Sequence, residues 1–462
     1  MSKEPRGRVG VSRRDFLSLV GAGAAGLAAR RLWGAEAPQR KPNVVVIISD
    51  DQGYADVGFQ GCKDIPTPSI DSLAANGVRF TSGYVSCPVC SPTRAGVNTG
   101  RYQQRFGHEF NPGPAPGGDV GLPLTEVTLA SLMKAAGYAT GMVGKWHLGM
   151  EPKFHPLRRG FDEFFGFLGG AHPYLNLRAG GRNSILRGTE AVDEKDYLTD
   201  AFAREAVGFI GRHQKEPFYL YLTFNAVHQP LQATQKYLDR FKDIPNRQRH
   251  IYAAMLSAMD DGIGAVLRKL RDAGIEENTL IFFFSDNGGA PGNASRNAPL
   301  RATKGTVYEG GIRVPFVIQW KGQLQAGKTF DHPVISLDVL PTAVTAAGGK
   351  LPGDRVVDGV DLVPFLRGEK QGPPHEMLFW RMGPQSAMRK GNSKLVRLRD
   401  QEPALYDLAA DIAESKNLAA EKPGVLDEMT KALAKWDGEM VDPLWGGRGG
   451  GRLRRALKGL KG

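Results

Sequence analysis

The sequence predicts an α/β protein, in which buried β-strands alternate with α-helices. Four short, strongly apolar runs are typical of strands that are covered on both faces of a sheet; they occupy residues 43–49, 138–143, 218–224 and 280–285. Between these runs lie segments with helical patterns that stop at glycine, which readily takes the left-handed conformation that ends a helix. Residues 129–136 precede Gly137, and residues 251–273 precede Gly274.

The N-terminal segment has the composition of an export signal. Arg13 and Arg14 come just before an apolar run over residues 16–29, and residues 35–37 offer a small-residue cleavage site. The paired arginines resemble the twin-arginine signal, which directs the export of folded proteins. Three glycines in the apolar run weaken the alternative, a buried helix. We expect residues 1–37 to be a twin-arginine-type signal peptide that engages the twin-arginine export machinery, and the mature bacterial protein to be periplasmic or secreted.

The net charge of +12, from 60 Lys and Arg against 48 Asp and Glu, is concentrated at the two ends of the chain. Residues 1–37 carry +4, and the glycine-rich tail 447–462 carries six basic residues and no acidic one. The tail is typical of a solvated, mobile end, with attraction to a polyanion as the alternative. The remaining body has only +2, which argues against nucleic-acid binding. No run approaches 18 uninterrupted apolar residues, so no stable membrane insertion is expected.

Polar residues follow each of the four predicted strands. Ligands of open α/β sheets bind outside the carboxyl ends of the strands, so these residues are expected to share one rim. In chain order they are Asp50 and Asp51, then Lys145 and His147, then His228, and finally Asp286 and Asn287.

The oxygen donors in this set indicate a hard cation. Adjacent carboxylates repel each other, and a Ca²⁺ or Mg²⁺ ion between Asp50 and Asp51 would relieve that repulsion. A second acidic pair, Asp260 and Asp261, lies within a helical pattern, and there we predict a solvated helix face.

Cys87 and Cys90 form a Cys-x-x-Cys pair, which is found in redox sites and in zinc sites. A zinc site would need a second Cys/His pair at a suitable spacing, and a redox pair would not account for the residues that follow. Those residues run Cys90-Ser91-Pro92-Thr93-Arg94 and continue to Thr99-Gly100-Arg101. This stretch resembles the signature of the formylglycine-dependent sulfatases, in the alkaline phosphatase superfamily. Further blocks resemble the same family in the same order, at residues 43–53, 67–80, 144–149, 285–288, 300–315 and 405–408.

The resemblance implies an architecture. It consists of a catalytic domain over residues 38–366, with a large mixed β-sheet sandwiched between helices, and a smaller α+β domain over residues 367–446, with a short antiparallel sheet. The Pro/Gly-rich stretch 367–374 marks the predicted boundary, and the basic tail 447–462 follows the second domain.

The resemblance also implies the cofactors. A formylglycine-generating enzyme would oxidise Cys90 to formylglycine, whose hydrated form is the nucleophile. A divalent metal, usually Ca²⁺ with Mg²⁺ as the alternative, would be held by Asp50, Asp51, Cys90, Asp286 and Asn287. The residues expected around the nucleophile and the sulfate are Arg94, Lys145, His147, His228 and Lys304.

Each catalytic residue then has an expected role. Asp286 activates the hydrated side chain of Cys90, while Arg94 and Lys145 hold the diol and the charge. His147 assists proton transfer on the diol, and His228 with Lys304 protonates or stabilises the departing alkoxide. A thiol would be trapped as a thiosulfate ester, whereas a geminal diol can expel sulfate with its second hydroxyl.

The expected substrates are sulfate esters of carbohydrates, such as polysaccharide or glycosaminoglycan fragments, with aryl sulfates as a further possibility. Candidate substrate residues are His108 with Glu109, His172 with Tyr174, Gln229, and Trp380 with Arg381. Trp380 has an equally weighted alternative as a core residue. One rival function is a phosphodiesterase or phosphonate hydrolase of the same superfamily, and the other is a catalytically silent glycan-binding protein.

Structural roles are expected for several other residues. Cys62 and Cys87 either form a disulfide after export or remain free thiols. Five further histidines are interpreted as surface residues; they are His155, His213, His250, His332 and His375.

Overall fold

The computed structural model describes residues 40–113, 120–181 and 183–446. The predicted signal peptide 1–37 and the basic tail 447–462 therefore lie outside the described residues. The chain divides between Arg40 and Lys41, and the architecture below belongs to the unit that begins at Lys41. Among the described helices, none combines the length and the apolar character needed to cross a membrane.

Sixteen strands can be numbered in chain order through the described residues. They are β1 Asn43–Ser49, β2 Val78–Phe80, β3 Gly83–Tyr84, β4 Ala139–Lys145, β5 Glu163–Phe167, β6 Leu186–Arg187, β7 Glu190–Ala191, β8 Phe218–Thr223, β9 Thr279–Ser285, β10 Phe316–Gln319, β11 Lys328–Phe330, β12 Val334–Ile335, β13 Met377–Met382, β14 Gln385–Lys390, β15 Ser393–Arg397 and β16 Ala404–Asp407. Ten of them form one sheet in the order β11-β2-β10-β9-β1-β8-β4-β5-β6-β7, β3 pairs with β12, and β13 to β16 form a four-stranded sheet.

The ten-stranded sheet is mixed. Its centre is parallel, because β1 lies between β9 and β8, and β8 lies beside β4, all running the same way. Towards one edge, β10 is antiparallel to β9 and to β2. The four apolar runs predicted from the sequence are these central strands, β1, β4, β8 and β9.

Ten α-helices accompany the sheets in the described residues. They are α1 Pro68–Ala75, α2 Cys90–Thr99, α3 Leu129–Ala135, α4 Leu198–His213, α5 Gln235–Leu238, α6 Arg247–Asp272, α7 Glu309–Ile312, α8 Val339–Ala346, α9 Val363–Leu366 and α10 Pro423–Gly438. The predicted helices correspond to α3 and α6. The glycines after them, Gly137 and Gly274, have φ angles of +83° and +67°, the left-handed conformation expected at a helix stop.

Alternate side chains of the central strands enter two separate cores. Val45 and Ile47 of β1 pack with α4 and α6, whereas Val44, Val46 and Ile48 pack with α3 and α8. Both faces of the sheet are therefore covered, which explains why its strands are apolar at every position. The predicted α/β fold, with a mixed sheet between helices, is confirmed.

The predicted smaller antiparallel sheet is also confirmed. Strands β13 to β16 pair consecutively as antiparallel neighbours. Their core contains Trp380 and Leu395, which pack with Leu433 and Trp436 of α10 and with Tyr84 of the two-stranded sheet. The predicted boundary stretch 367–374 lies between the end of α9 at Leu366 and the start of β13 at Met377.

The prediction of a solvated face at Asp260 is wrong. Asp260 is only 2% exposed, and its carboxylate accepts hydrogen bonds from the backbone N–H groups of Ser69 (3.1 Å) and Ile70 (2.8 Å). These N–H groups lie in the first turn of α1 and have no partner within that helix. Asp260 therefore caps a neighbouring helix, and burial raises its pKa to about 6. Asp261 is the partly exposed member of the pair and forms an ion pair with Arg240.

Two histidines predicted at the surface are largely buried. His155 is 6% exposed and lies edge-on to the Phe164 ring, and the Nε2 of His375 lies 2.7 Å from Asp338 Oδ1. All three cysteines, which fall within the described residues, are free, so Cys62 and Cys87 are not joined.

Candidate active site

The carboxyl ends of the four central strands meet at one rim of the sheet. Because β9, β1, β8 and β4 are parallel neighbours, the segments that leave them begin side by side. The predicted residues at these strand ends are buried, apart from His228, whose side chain is 22% exposed. The structure thus brings together groups that are separated by more than 200 positions in the sequence.

Cys90 is the first residue of α2 and is 1% exposed. Its Sγ lies 3.7 Å from Asp50 Oδ1. Burial raises the pKa of the Cys90 thiol to about 12, although Lys145 and Lys304 act in the opposite direction. The unmodified thiol is therefore protonated at neutral pH and is a poor nucleophile as it stands.

Arg94 lies one helical turn after Cys90, so the two residues share a face of α2. It is fully buried, and Asp286 Oδ2 accepts from both its Nε (3.0 Å) and one terminal nitrogen (2.7 Å). The other terminal nitrogen donates to the Lys145 carbonyl at 2.9 Å. Burial opposes the charge, but Asp286 and Asp50 raise the pKa of Arg94 above its ordinary value. Arg94 is a fixed cation beside Cys90.

Two lysines meet the paired aspartates. Lys145 Nζ donates to Asp50 Oδ2 at 2.5 Å, and Lys304 Nζ donates to Asp51 Oδ1 at 2.5 Å. Burial disfavours the charged form of Lys304, but the nearby carboxylates of Asp51 and Asp50 raise its pKa above the ordinary value. Asp51 is held in the left-handed region with φ +59°, an uncommon conformation for a residue with a side chain. Such strain is typical of functional positions.

The residues present fit a hard divalent cation. Ligand atoms of Asp50, Asp51, Cys90 and His228 all lie within 4.8 Å of one another. The buried Asn287 Oδ1 has no hydrogen-bond partner among the described residues, while its Nδ2 donates to Asp51 Oδ1 at 2.8 Å. An unpaired amide oxygen beside two carboxylates suits Ca²⁺ or Mg²⁺.

Asp286 and His228, two of the predicted catalytic residues, both lie beside Asp51. Asp286 directs Oδ2 to Arg94 and accepts a long 3.4 Å bond from the Asp51 N–H through Oδ1. His228 Nε2 lies 3.6 Å from Asp51 Oδ2, and its Nδ1 lies 2.6 Å from the Gln229 carbonyl. Since a carbonyl only accepts, Nδ1 carries a proton, and Nε2 is the atom that can bind or release one.

His147 is a second strained residue of the site, with φ +58° and 7% exposure. Burial, together with the charges of Lys145 and Arg94, lowers its pKa well below the ordinary value. The imidazole is therefore neutral at pH 7. Gly170 packs against the ring, and a Cβ at that position would lie 2.5 Å from His147 Nε2.

The predicted substrate residues divide into exposed and buried ones. Gln229 is exposed and His172 is partly exposed, so both can contact a ligand. Trp380 is fully buried and donates from Nε1 to the Val85 carbonyl at 2.7 Å, which makes it a core residue and not a sugar platform. Arg381 is 8% exposed, with its guanidinium held by Glu109 at 2.7 Å and by Asp437 at 2.6 Å.

His108 is also buried, and it leads to a residue that sequence reasoning missed. Ser91, directly after Cys90, donates its hydroxyl to the His147 carbonyl at 2.6 Å and lies 2.6 Å from His108 Nε2. Burial lowers the pKa of His108 to about 3. Asn111 Oδ1 accepts from the Ser91 N–H at 2.9 Å. Ser91 belongs to the signature motif itself, but a serine there gives no sign of which groups it joins.

Comparison with known families gives two matches. The sulfatase family model matches residues 42–349, and the model of the N-sulphoglucosamine sulphohydrolase C-terminal region matches residues 302–437. The chain belongs to the sulfatase family. It is a sulfuric ester hydrolase, as the resemblance in the sequence predicted.

Relatives of this sulfatase include named sulfatases of mammals. N-acetylgalactosamine-6-sulfatase of Canis lupus familiaris is 37% identical over 371 residues, covering 74% of this chain and 69% of its own. Arylsulfatase A of Homo sapiens is 35% identical, covering 90% of this chain and 84% of its own. Among solved structures, Ps i-CgsB in complex with k-i-k-neocarrahexaose is 36% identical with a TM-score of 0.84, covering 91% and 97%.

Proposed function

We propose that this sulfatase removes sulfate from carbohydrates, such as polysaccharide or glycosaminoglycan fragments. The observation that carries the chemistry is a set of three cations around Cys90 at the start of α2, of which Arg94 and Lys145 are fully buried and Lys304 is 15% exposed. The carbohydrate class is supported by the relative solved with neocarrahexaose and by the N-acetylgalactosamine-6-sulfatases.

The electrostatics suit a sulfate monoester. Such an ester carries one negative charge, and transfer of the sulfuryl group spreads charge over the nonbridging and leaving oxygens. Fixed cations aimed at these oxygens stabilise the transition state, and they do so more strongly in a site from which water is excluded. Removing one such group typically lowers kcat by about 10²–10³.

Two groups complete the chemistry. With Cys90 oxidised to formylglycine, the hydrated side chain would supply one hydroxyl for attack and a second to expel sulfate. Asp50, Asp51 and Asn287 would hold a divalent cation, which would supply positive charge to polarise the sulfate.

The protein's own residues then orient and move protons. Arg94 anchors Asp286 against the base of α2, so that the Asp286 carboxylate can take the proton of the attacking hydroxyl. The neutral His147 is able to accept a proton from the remaining hydroxyl. His228 presents Nε2 to the site, and with Lys304 it can deliver a proton to the departing alkoxide.

The first test concerns Cys90. The tryptic peptide 80–94 from protein matured in its native host should be about 18 Da lighter than the encoded sequence, because a thiol becomes an aldehyde. Fragment ions should place the loss at Cys90. Cys87 lies in the same peptide and serves as the internal control, since it should remain a thiol. A Cys90 thiol in protein from a host with the maturing enzyme would contradict the proposed nucleophile.

The second test concerns the substrate. The enzyme should release sulfate from sulfated carbohydrates such as carrageenan oligosaccharides or N-acetylgalactosamine 6-sulfate, and Cys90→Ala should abolish release. Matched sulfate and phosphate esters of one alcohol give the ratio of the two activities. A higher rate on the phosphate ester would favour the phosphonate hydrolase-like rival. Glycan affinity without any sulfate release would favour the binding-protein rival.

We also propose export through the twin-arginine route, on the basis of residues 1–37 alone. Replacing Arg13 and Arg14 by lysine should retain the enzyme in the cytoplasm of its host. Recovery of the double variant in the periplasm at the wild-type level would contradict this route.

A further inference from the structure

The tip of the β13–β14 hairpin, residues 381–385, lies against two loops that border the active site. One loop carries Glu109, whose carboxylate accepts hydrogen bonds from Arg381 and from the Gly383 N–H at 2.8 Å. The other loop, residues 304–307, begins with Lys304. The four-stranded sheet thus contacts the active site without placing a side chain of this tip among the reacting groups.

Gln385 makes the contact with the Lys304 loop. Its Nε2 donates to the Gly305 carbonyl at 2.7 Å, and its Oε1 accepts from the Val307 N–H at 3.1 Å. The two bonded groups flank Thr306, whose N–H donates to the Thr303 carbonyl at 3.2 Å and closes a turn at Lys304 and Gly305. The side-chain amide of Gln385 therefore joins two backbone groups of this turn.

The backbone of the Lys304 loop is also held by the segment after Asp286 and by the segment before Cys90. The Lys304 N–H donates to the Gly289 carbonyl at 3.1 Å, and the Gly305 N–H donates to the Pro88 carbonyl at 2.8 Å. Gly305 has φ +87°, which a residue with a side chain rarely adopts. Gln385 adds two further hydrogen bonds to this turn.

We propose that Gln385 is a positioning residue of the active site, which acts through Lys304. By fixing residues 305–307 it keeps Lys304 Nζ against Asp51, at the 2.5 Å distance observed, and directed to the leaving-group oxygen. The inference rests on the proposed function, in which Lys304 stabilises the departing alkoxide. Loss of the two hydrogen bonds made by the Gln385 side-chain amide loosens the loop. A misplacement of about 1 Å at a catalytic group can cost about 10²-fold in rate.

The test uses mature, metal-loaded enzyme and a series of substituted phenyl sulfates that differ in leaving-group pKa. A defect at Lys304 weakens stabilisation of the alkoxide, so kcat/KM should fall more steeply as the leaving group becomes poorer. Gln385→Met, which keeps the length but lacks both polar atoms, should steepen this dependence and lower kcat/KM by about tenfold or more for the poorest leaving group. Lys304→Ala should steepen it further, and adding Gln385→Met to that variant should change nothing more.

A matched control is Gln371→Met. Gln371 also donates its amide to a backbone carbonyl, that of Gly368 at 2.9 Å, but it is exposed and does not contact either catalytic loop. In this variant, kcat/KM should depend on the leaving-group pKa as it does in the wild type. Gln385→Asn, one methylene too short to span both bonds, should reproduce the effect of Gln385→Met and remains informative if that variant does not fold.

The outcomes separate the proposed catalytic role of Lys304 from the proposed positioning role of Gln385. If Lys304→Ala keeps the wild-type dependence on leaving group, the proposed role of Lys304 is wrong. If Lys304→Ala steepens it while both Gln385 variants do not, the positioning role of Gln385 is wrong. A uniform loss of rate across all leaving groups in the Gln385 variants would mean a structural role only, and would also overturn the inference.

Discussion

Gly170 controls the position of the His147 ring, and a single methyl group there should impair catalysis. A Cβ at Gly170 would lie 2.5 Å from His147 Nε2 and 2.7 Å from Cε1. Ordinary van der Waals contact begins at 3.4 Å, so the ring must retreat by about 0.9 Å. Gly170 is not in the left-handed region, so alanine fits its backbone and the effect is purely one of space.

The expected magnitude follows from that displacement. A shift of this size at a catalytic group costs up to about 10²-fold in rate, and we expect Gly170→Ala to lower kcat on 4-nitrophenyl sulfate by about 10–100-fold. The methyl group should lower the free energy of unfolding by about 1–3 kcal/mol, as overpacking usually does. Steady-state kinetics and urea denaturation of the same preparations measure both quantities.

Two further variants test whether displacement of the His147 ring causes the loss of activity. Gly353→Ala introduces the same methyl group where nothing lies within 4 Å, and it should leave kcat unchanged. In a His147→Ala background, Gly170→Ala should have no additional effect on kcat, because the ring that it displaces is gone. A Gly170→Ala enzyme with kcat within twofold of wild type would refute the idea that the ring must occupy its observed position.

Three other predictions concern the fold and the cation. Burial raises the pKa of Asp260 from 3.8 to about 6, so its stabilising contribution is fully present below pH 4 and is lost as pH rises through 6. Measured by urea denaturation, the stability of wild type relative to Asp260→Asn should fall by about 3 kcal/mol between pH 3.5 and 7, and a flat difference would contradict the assignment. Trp380→Phe leaves the Val85 carbonyl unpaired and should cost about 1–3 kcal/mol in stability without changing the preference among sulfated substrates. Chelation should lower the melting temperature and abolish activity, added Ca²⁺ should restore both, and Asp51→Asn should lose the Ca²⁺-dependent rise in melting temperature.

The central part of the fold could be predicted because burial leaves a strong mark on sequence. Strands β1, β4, β8 and β9 are covered on both faces, so they appear as apolar runs, and the polar residues after them mark one rim. The two-residue strands β6, β7 and β12 have no such pattern, because their pairing depends on distant neighbours.

Side-chain roles were harder to predict where one pattern fits two environments. Trp380 beside Arg381 has the composition of a sugar-binding pair, but both side chains point into contacts with distant segments, at Val85 and Glu109. The helical pattern around Asp260 was right, yet the capped helix lies about 190 positions earlier in the chain. Gln385 likewise gave no signal, since its partners are backbone atoms of any residue type.

Burial of Cys90 limits the stage of biogenesis at which another enzyme could modify it. At 1% exposure, with its Sγ 3.7 Å from Asp50 Oδ1, Cys90 is out of reach of a second enzyme once the chain has folded. The proposed oxidation to formylglycine would then have to act on a nascent or unfolded chain. If export uses the twin-arginine route, which transports folded proteins, the order of events would be oxidation, then folding, then export. A chain that folds before it is oxidised would leave the cell as an inert protein, with no opportunity for repair outside.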